Sequence, residues 1–123
     1  MSEQLQARPR PLVLVVDDEL SARLIMRATL EEAGFDVVEA DSVREAWQQF
    51  ETHKPDLLIL DVILPDGNGI KLCADIRQLP QGRNLPIAMA TGLYDELSIQ
   101  QAYQSGATDF ITKPISWGTP GYR

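Results

Sequence analysis

Five short apolar runs divide the chain, and a segment of helical periodicity follows each of the first four. Leu12 to Val16, Leu57 to Leu60 and Ile87 to Ala90 are apolar throughout, the pattern of strands buried on both faces in a parallel sheet. Phe35 to Ala40 mixes Val37 and Val38 with Asp36 and Glu39, which predicts a less buried edge strand, and Phe110 to Thr112 predicts the fifth. Between the first two runs, Ala22, Ile25, Met26, Thr29, Leu30 and Ala33 recur at helical spacing and are expected to form one inward face, stopped by Gly34. Ser42 and Glu45 form a capping box ahead of Val43, Ala46, Trp47 and Phe50. Lys54-Pro55 closes that helix. A third helix carries Leu72, Cys73, Ile76 and Leu79 and stops at Pro80, with a loop over 81–86. Asp95 is expected to cap a fourth, which carries Ile99, Ala102 and Tyr103 and has Gly106 beyond it.

Strands alternating with helices, each link suited to a crossover, predict an α/β fold with a central parallel sheet. With the flavodoxin-like order 2-1-3-4-5, the fold is a three-layer sandwich whose strand order reverses between strands one and three. Ligands of open α/β sheets bind there, outside the carboxyl ends of the strands. Asp17 and Asp18 follow the first strand and Asp61 follows the third, so all three meet in one crevice. Thr91 and Lys113, at the ends of strands four and five, line the same edge. One acid at a strand end is an ordinary solvated group. Five polar residues ending four strands are a site.

Composition narrows the chemistry. The net charge of −7 argues against direct nucleic-acid binding, which rests on Lys and Arg neutralising phosphates. The only cysteine, Cys73, excludes an internal disulfide and reads as core filler, and no Cys/His cluster suggests zinc. No basic-then-apolar leader or long apolar run points to secretion or a membrane span, which leaves a cytoplasmic chain as the expectation. Residues 1–11, polar with two prolines, read as a flexible lead-in, residues 12–115 as one domain and residues 116–123 as a tail.

Three carboxylates so placed repel one another, and a divalent cation removes that repulsion. Mg²⁺ suits, as a hard ion that takes oxygen ligands and keeps waters for a phosphate to replace. A carboxylate beside Mg²⁺, with a Lys and a hydroxyl opposite, is a site for phosphoryl transfer. Asp61 is the natural nucleophile, since it alone follows the central strand.

The residues Asp17-Asp18, Asp61 with Leu64-Pro65-Asp66-Gly67, Thr91-Gly92 and Lys113-Pro114 resemble the receiver domain of two-component response regulators, over about Leu12 to Ile115. The resemblance implies that Asp61 accepts a phosphoryl group from a histidine kinase or phosphotransfer protein. It implies Mg²⁺, with Mn²⁺ able to substitute, held by the side chains of Asp18 and Asp61, the backbone carbonyl of Ile63, and Asp17 through water or as a neighbouring acid. Thr91 would hydrogen-bond the phosphoryl oxygen, and Lys113 would pair first with Asp61 and then with the phosphoryl group. Pro114 would follow a cis bond. In receivers an aromatic ring three residues before the Lys turns inward on activation; here it is Phe110, without a tyrosine hydroxyl. The output would be a conformational switch controlling a following domain, or a homodimer. The Lys113-Pro114-Ile115 stretch with Trp117 is similar to receivers that precede GGDEF or GGDEF-EAL domains.

This sequence also departs from the family. Ile63 and Leu93 flank the expected route of hydrolytic water and offer it no polar group, which predicts slow self-dephosphorylation. Gly118, Pro120 and Gly121 oppose a helix, so the fifth helix is expected to be truncated or missing and the usual homodimer face incomplete. Two other classes fit these residues less well. A haloacid-dehalogenase-like Mg²⁺ phosphatase wants a second Asp at position 63, which is Ile. A pseudo-receiver that only binds partners would usually lack one of the acids or the Lys.

Overall fold

The computed structural model describes residues 9–91 and 96–112, with the backbone alone at 91, 96–98 and 110–112. Five parallel strands form one sheet: β1 (Leu12–Val16), β2 (Asp36–Ala40), β3 (Leu57–Leu60), β4 (Ile87–Thr91) and β5 (Asp109–Thr112). Their order is β2-β1-β3-β4-β5, the flavodoxin-like order expected of the fold. The connecting helices are α1 (Leu20–Glu32), α2 (Val43–His53), α3 (Gly69–Arg77) and α4 (Glu96–Gln104), and a 3₁₀ turn at Pro80–Gly82 runs from the expected helix stop into the stretch expected to be loop.

The alternation of side chains along a strand divides the core into two layers. Leu14, Val16, Leu58, Leu60, Ile87 and Met89 face Ala46 and Phe50 of α2, Leu72, Cys73 and Ile76 of α3, and Ala102 of α4. Val13, Val15, Ile59, Ala88 and Ala90 face the other way, against Met26 and Leu30 of α1. Strand β2 is an edge, and its partial burial fits its mixed composition.

The predicted face of α1 is broader than the one formed. Only Met26 and Leu30 are buried, whereas Ile25 is 63% exposed and Ala33 lies past the helix end in solvent. Arg23 and Arg27 occupy the flank that periodicity would give to apolar residues, because the acid Glu39 of edge strand β2 lies beside them. Helix α2 begins as the capping box predicts, with Ser42 Oγ accepting from Glu45 N at 3.1 Å. Glu45 reaches back to Asp41 N rather than to the cap residue, at 2.8 Å. Lys54 ends the helix at φ 49°. The cap assigned to Asp95 lies outside the described residues.

After β3 the chain makes a small antiparallel hairpin, Ile63–Leu64 with Gly67–Asn68, and Asn68 Oδ1 caps α3 by accepting from Lys71 N at 2.8 Å. Gly69 then opens α3 directly against the backbone of Asp61: a Cβ at Gly69 would lie 2.1 Å from the Asp61 carbonyl oxygen. Backbone has no cheap way to yield. The substitution Gly69→Ala is expected to destabilise the fold by about 2 kcal/mol or more, through displacement of the β3–α3 loop. Urea denaturation of the two proteins checks this, and an unchanged midpoint would show that the loop yields freely.

Candidate phosphoacceptor site

The pairing of β1 with β3 sets the site. Val16 is level with Leu60, so the next residues, Asp17 and Asp61, leave two adjacent strands side by side at the point where strand order reverses. Asp17 N donates to Ala40 O at 3.0 Å and Asp61 N to Val16 O at 2.9 Å, which carries the ladders up to both acids. Both are buried, at 1% and 7% exposure, and Asp18 is exposed. One carboxylate oxygen from each of Asp17, Asp18 and Asp61 lies within 4.8 Å of the others. These are hard oxygen donors with no imidazole or thiolate in the cluster, and such a set fits Mg²⁺ rather than a softer metal.

The loop bearing two of the acids is fixed on both sides. Glu19 N donates to Asp17 Oδ1 at 2.9 Å, and Arg23 Nη1 donates to the Asp17 carbonyl at 2.7 Å. The loop after Asp61 is tied to α2, because Asp66 accepts from Val43 N at 2.8 Å and from Arg44 N at 3.0 Å. Those two amide bonds hold the Asp66 carboxyl below its ordinary pKa. With Ser42 and Asp66 both engaged, the first three amides of α2 have acceptors.

Of the other residues expected at the site, Thr91 ends β4 level with Thr112 of β5, so the chain reaches the crevice edge one residue beyond the level of Asp61. Ile63 begins the hairpin two residues after Asp61, with its side chain 60% exposed. Phe110 pairs with Met89 in the sheet. Its side chain, the Thr91 side chain, and Leu93, Lys113, Pro114 and Trp117 lie outside the described residues. Cys73 is core, as expected: it is fully buried, and burial pushes its thiol pKa up.

Sequence inspection missed the side chains that hold this edge: Arg23, Glu39 and Asp66. Glu39 carries a visible signal, a charge inside a strand, and Arg23 and Arg27 stand at i, i+4 on the helix that packs there. Arg23 Nε lies 2.8 Å from Glu39 Oε1 and Arg27 Nε 2.5 Å from Glu39 Oε2. Burial alone would raise the Glu39 pKa, but hydrogen bonds from Arg27 and Arg23 outweigh it and hold the carboxyl below its ordinary value.

A parallel sheet of this order, with an acidic cluster at its switch point, defines a receiver fold. The chain belongs to the response regulator receiver domain family, whose model matches residues 13–119. It is 42% identical over 104 residues to the alkaline phosphatase synthesis transcriptional regulatory protein PhoP of Bacillus subtilis, which covers 85% of this chain and 42% of that protein. With the phosphate regulon transcriptional regulatory protein PhoB of Rhizobium meliloti it shares 39% identity, over 86% of this chain and 47% of the relative. The chain thus spans less than half the length of these two relatives. Among solved structures, the chemotaxis response regulator CheY4 of Vibrio cholerae superposes with a TM-score of 0.82 at 32% identity, covering 87% of this chain and 89% of that one. A two-component response regulator from Clostridium difficile gives 0.81 at 31% identity, covering 87% and 86%. This chain is therefore a receiver domain.

The depressed Glu39 pKa gives a signed expectation. A carboxyl whose folded pKa lies below its unfolded value contributes stability above the unfolded value and loses it as pH falls through the folded one. The substitution Glu39→Gln should therefore destabilise at neutral pH, and its gap from the native chain should close as pH falls below about 4.5, the ordinary Glu value. Urea midpoints across that range measure it. A gap independent of pH would assign the effect to packing.

Proposed function

We propose that Asp61 is the phosphoacceptor of a receiver unit spanning residues 12–115, with 1–11 as lead-in and 116–123 as tail. One observation carries this reading: the three carboxylates meet within 4.8 Å at the switch point, and Asp61 alone follows the central strand. An Asp61 oxygen attacks the phosphorus of a phosphohistidine; the P–O bond forms as the P–N bond breaks, and the imidazole leaves with the bonding pair. Asp17, Asp18, Asp61 and the Ile63 carbonyl would hold Mg²⁺, with Mn²⁺ a substitute. The ion, when bound, supplies neutralisation of the charge on the acids and the transferring group. Thr91 donates a hydrogen bond to a phosphoryl oxygen, and Lys113 passes from Asp61 to the phosphoryl group.

The chain catalyses only its own phosphorylation and slow dephosphorylation, since Ile63 and Leu93 offer no group to orient water. Phosphorylation adds charge and acceptor oxygens. Thr91 and then Phe110 respond, without the hydrogen bond a tyrosine would make. The output is a following domain, and the names of the relatives favour transcriptional control over GGDEF chemistry. Direct DNA contact belongs to that domain, given the charge of −7 here. No described helix is long and apolar enough to cross a membrane, and we place the protein in the cytoplasm.

Intact mass after incubation with Mg²⁺ and a small acyl phosphate tests the chemistry. The native chain should gain about 80 Da, one phosphoryl group, and Asp61→Asn should gain nothing. A chain that binds Mg²⁺ but is never labelled would instead be a pseudo-receiver. The kinase should dock beside the crevice on the apolar row Leu20, Leu24 and Ile25 of α1, exposed at 58%, 52% and 63%. Leu24→Asp is then expected to slow transfer from a phosphorylated histidine kinase at least ~10-fold, because it places a charge in an apolar contact, while labelling by the small donor persists. Equal slowing of both would locate the defect in the site itself.

A further inference from the structure

The acidic cluster has an uneven support. Asp17 and Asp61 are buried and continue strand ladders, but Asp18 is exposed, and none of the hydrogen bonds or ion pairs found among the described residues involves its carboxylate. Its place depends on the backbone on either side of it. On one side the Asp17 carbonyl accepts from Arg23 Nη1 at 2.7 Å. On the other, Glu19 N donates to Asp17 Oδ1 at 2.9 Å, and Glu19 O accepts from Arg23 N at 3.1 Å. The guanidinium of Arg23, only 14% exposed, is itself aimed by Glu39, which accepts from Nε at 2.8 Å. Arg27 shares Glu39 but turns its other nitrogen outward to Glu31, at 2.9 Å.

We infer that Arg23 is a positioning residue of the acidic crevice: aimed by Glu39, it fixes the Asp17 carbonyl and so the direction in which Asp18 meets its neighbours. This rests on the crevice being the Mg²⁺ site. Arg23 touches neither the ion nor the phosphoryl group; it acts through the loop backbone. Its charge and its hydrogen bond pull in opposite directions. A cation near a cation site repels Mg²⁺, so if charge dominated, removing Arg23 would tighten binding. If positioning dominates, removing it weakens binding, as loss of a residue behind the ligands commonly does by 10-fold or more. The sign of the change separates the two.

The experiment is calorimetric titration of the full chain with MgCl₂, alongside thermal melts, for the native protein, Arg23→Met, Arg23→Lys and Arg27→Met. Arg23→Met should raise the Mg²⁺ Kd about 10-fold. Arg23→Lys keeps the charge and one donor to Asp17 O but cannot also fork to Glu39, so its Kd should fall between those of native and Met. Arg27→Met removes a partner of the same Glu39 and should lower the melting temperature while leaving the Kd unchanged. Backbone amide shifts of Asp18 and Asp61 should move in the Arg23 variants before Mg²⁺ is added. Equal or tighter Mg²⁺ binding by Arg23→Met would overturn the inference, as would equal weakening by Arg27→Met. Should Arg23→Met not fold, the order of Arg23→Lys against Arg27→Met decides in the same way. A native chain that binds no Mg²⁺ removes the crevice reading and the inference with it; a native chain that binds, with variants that bind equally well, removes the inference alone.

Discussion

The level pairing of β1 with β3 is the constraint on which the rest depends. Because Val16 stands opposite Leu60, the first residues beyond the two strands are neighbours, and both are aspartates. A slip of one residue would turn the side chains of one strand to the opposite faces and part the acids. What prevents it is the core: Leu14, Val16, Leu58 and Leu60 are buried in one layer and Val13, Val15 and Ile59 in the other. The apolar strands therefore do more than hold the domain together. They hold like charges at a distance that those charges would not choose.

Around that constraint the loops are held by polar bonds rather than by apolar mass. Asp17 is fixed at its amide, its carbonyl and a carboxylate oxygen. The hairpin after Asp61 is clamped to α2 through Asp66, and the start of α3 rests on the Asp61 backbone through Gly69. Each device fixes a stretch of backbone next to one of the acids.

The alternation of strand with helix and the place of Asp17, Asp18 and Asp61 at strand ends were legible in the sequence because each has a local signature, and the flavodoxin-like order then brings the three acids together. Unbroken apolar runs mark central strands, and an acid immediately after such a run marks the strand's end. Periodicity overstates the α1 face, since it cannot tell that Arg23 and Arg27 have an acid waiting on the edge strand. Asp66 stands in the Leu64-Pro65-Asp66-Gly67 motif, but the capping bonds it accepts from Val43 N and Arg44 N, more than twenty positions away, leave no trace in local spacing. Bonds from side chain to distant backbone are chosen by the fold, so only the fold shows them.

Two arginines show how the two ends of the sheet differ. Arg77 gathers the carbonyls of Gly82, Leu85 and Gly106 and reaches Thr108 Oγ1, which in turn accepts from Ile87 N. All of these precede or begin β4 and β5, so Arg77 stitches the amino edge of the sheet. Arg23 does comparable work with one carbonyl at the carboxyl edge, beside the acids. A guanidinium suits both places, since its several donors satisfy loop carbonyls that no regular ladder reaches. The consequences of losing them differ by position alone. At the amino edge the lost bonds cost stability and leave the acids where they are; at the carboxyl edge the same chemistry sets where the acids point.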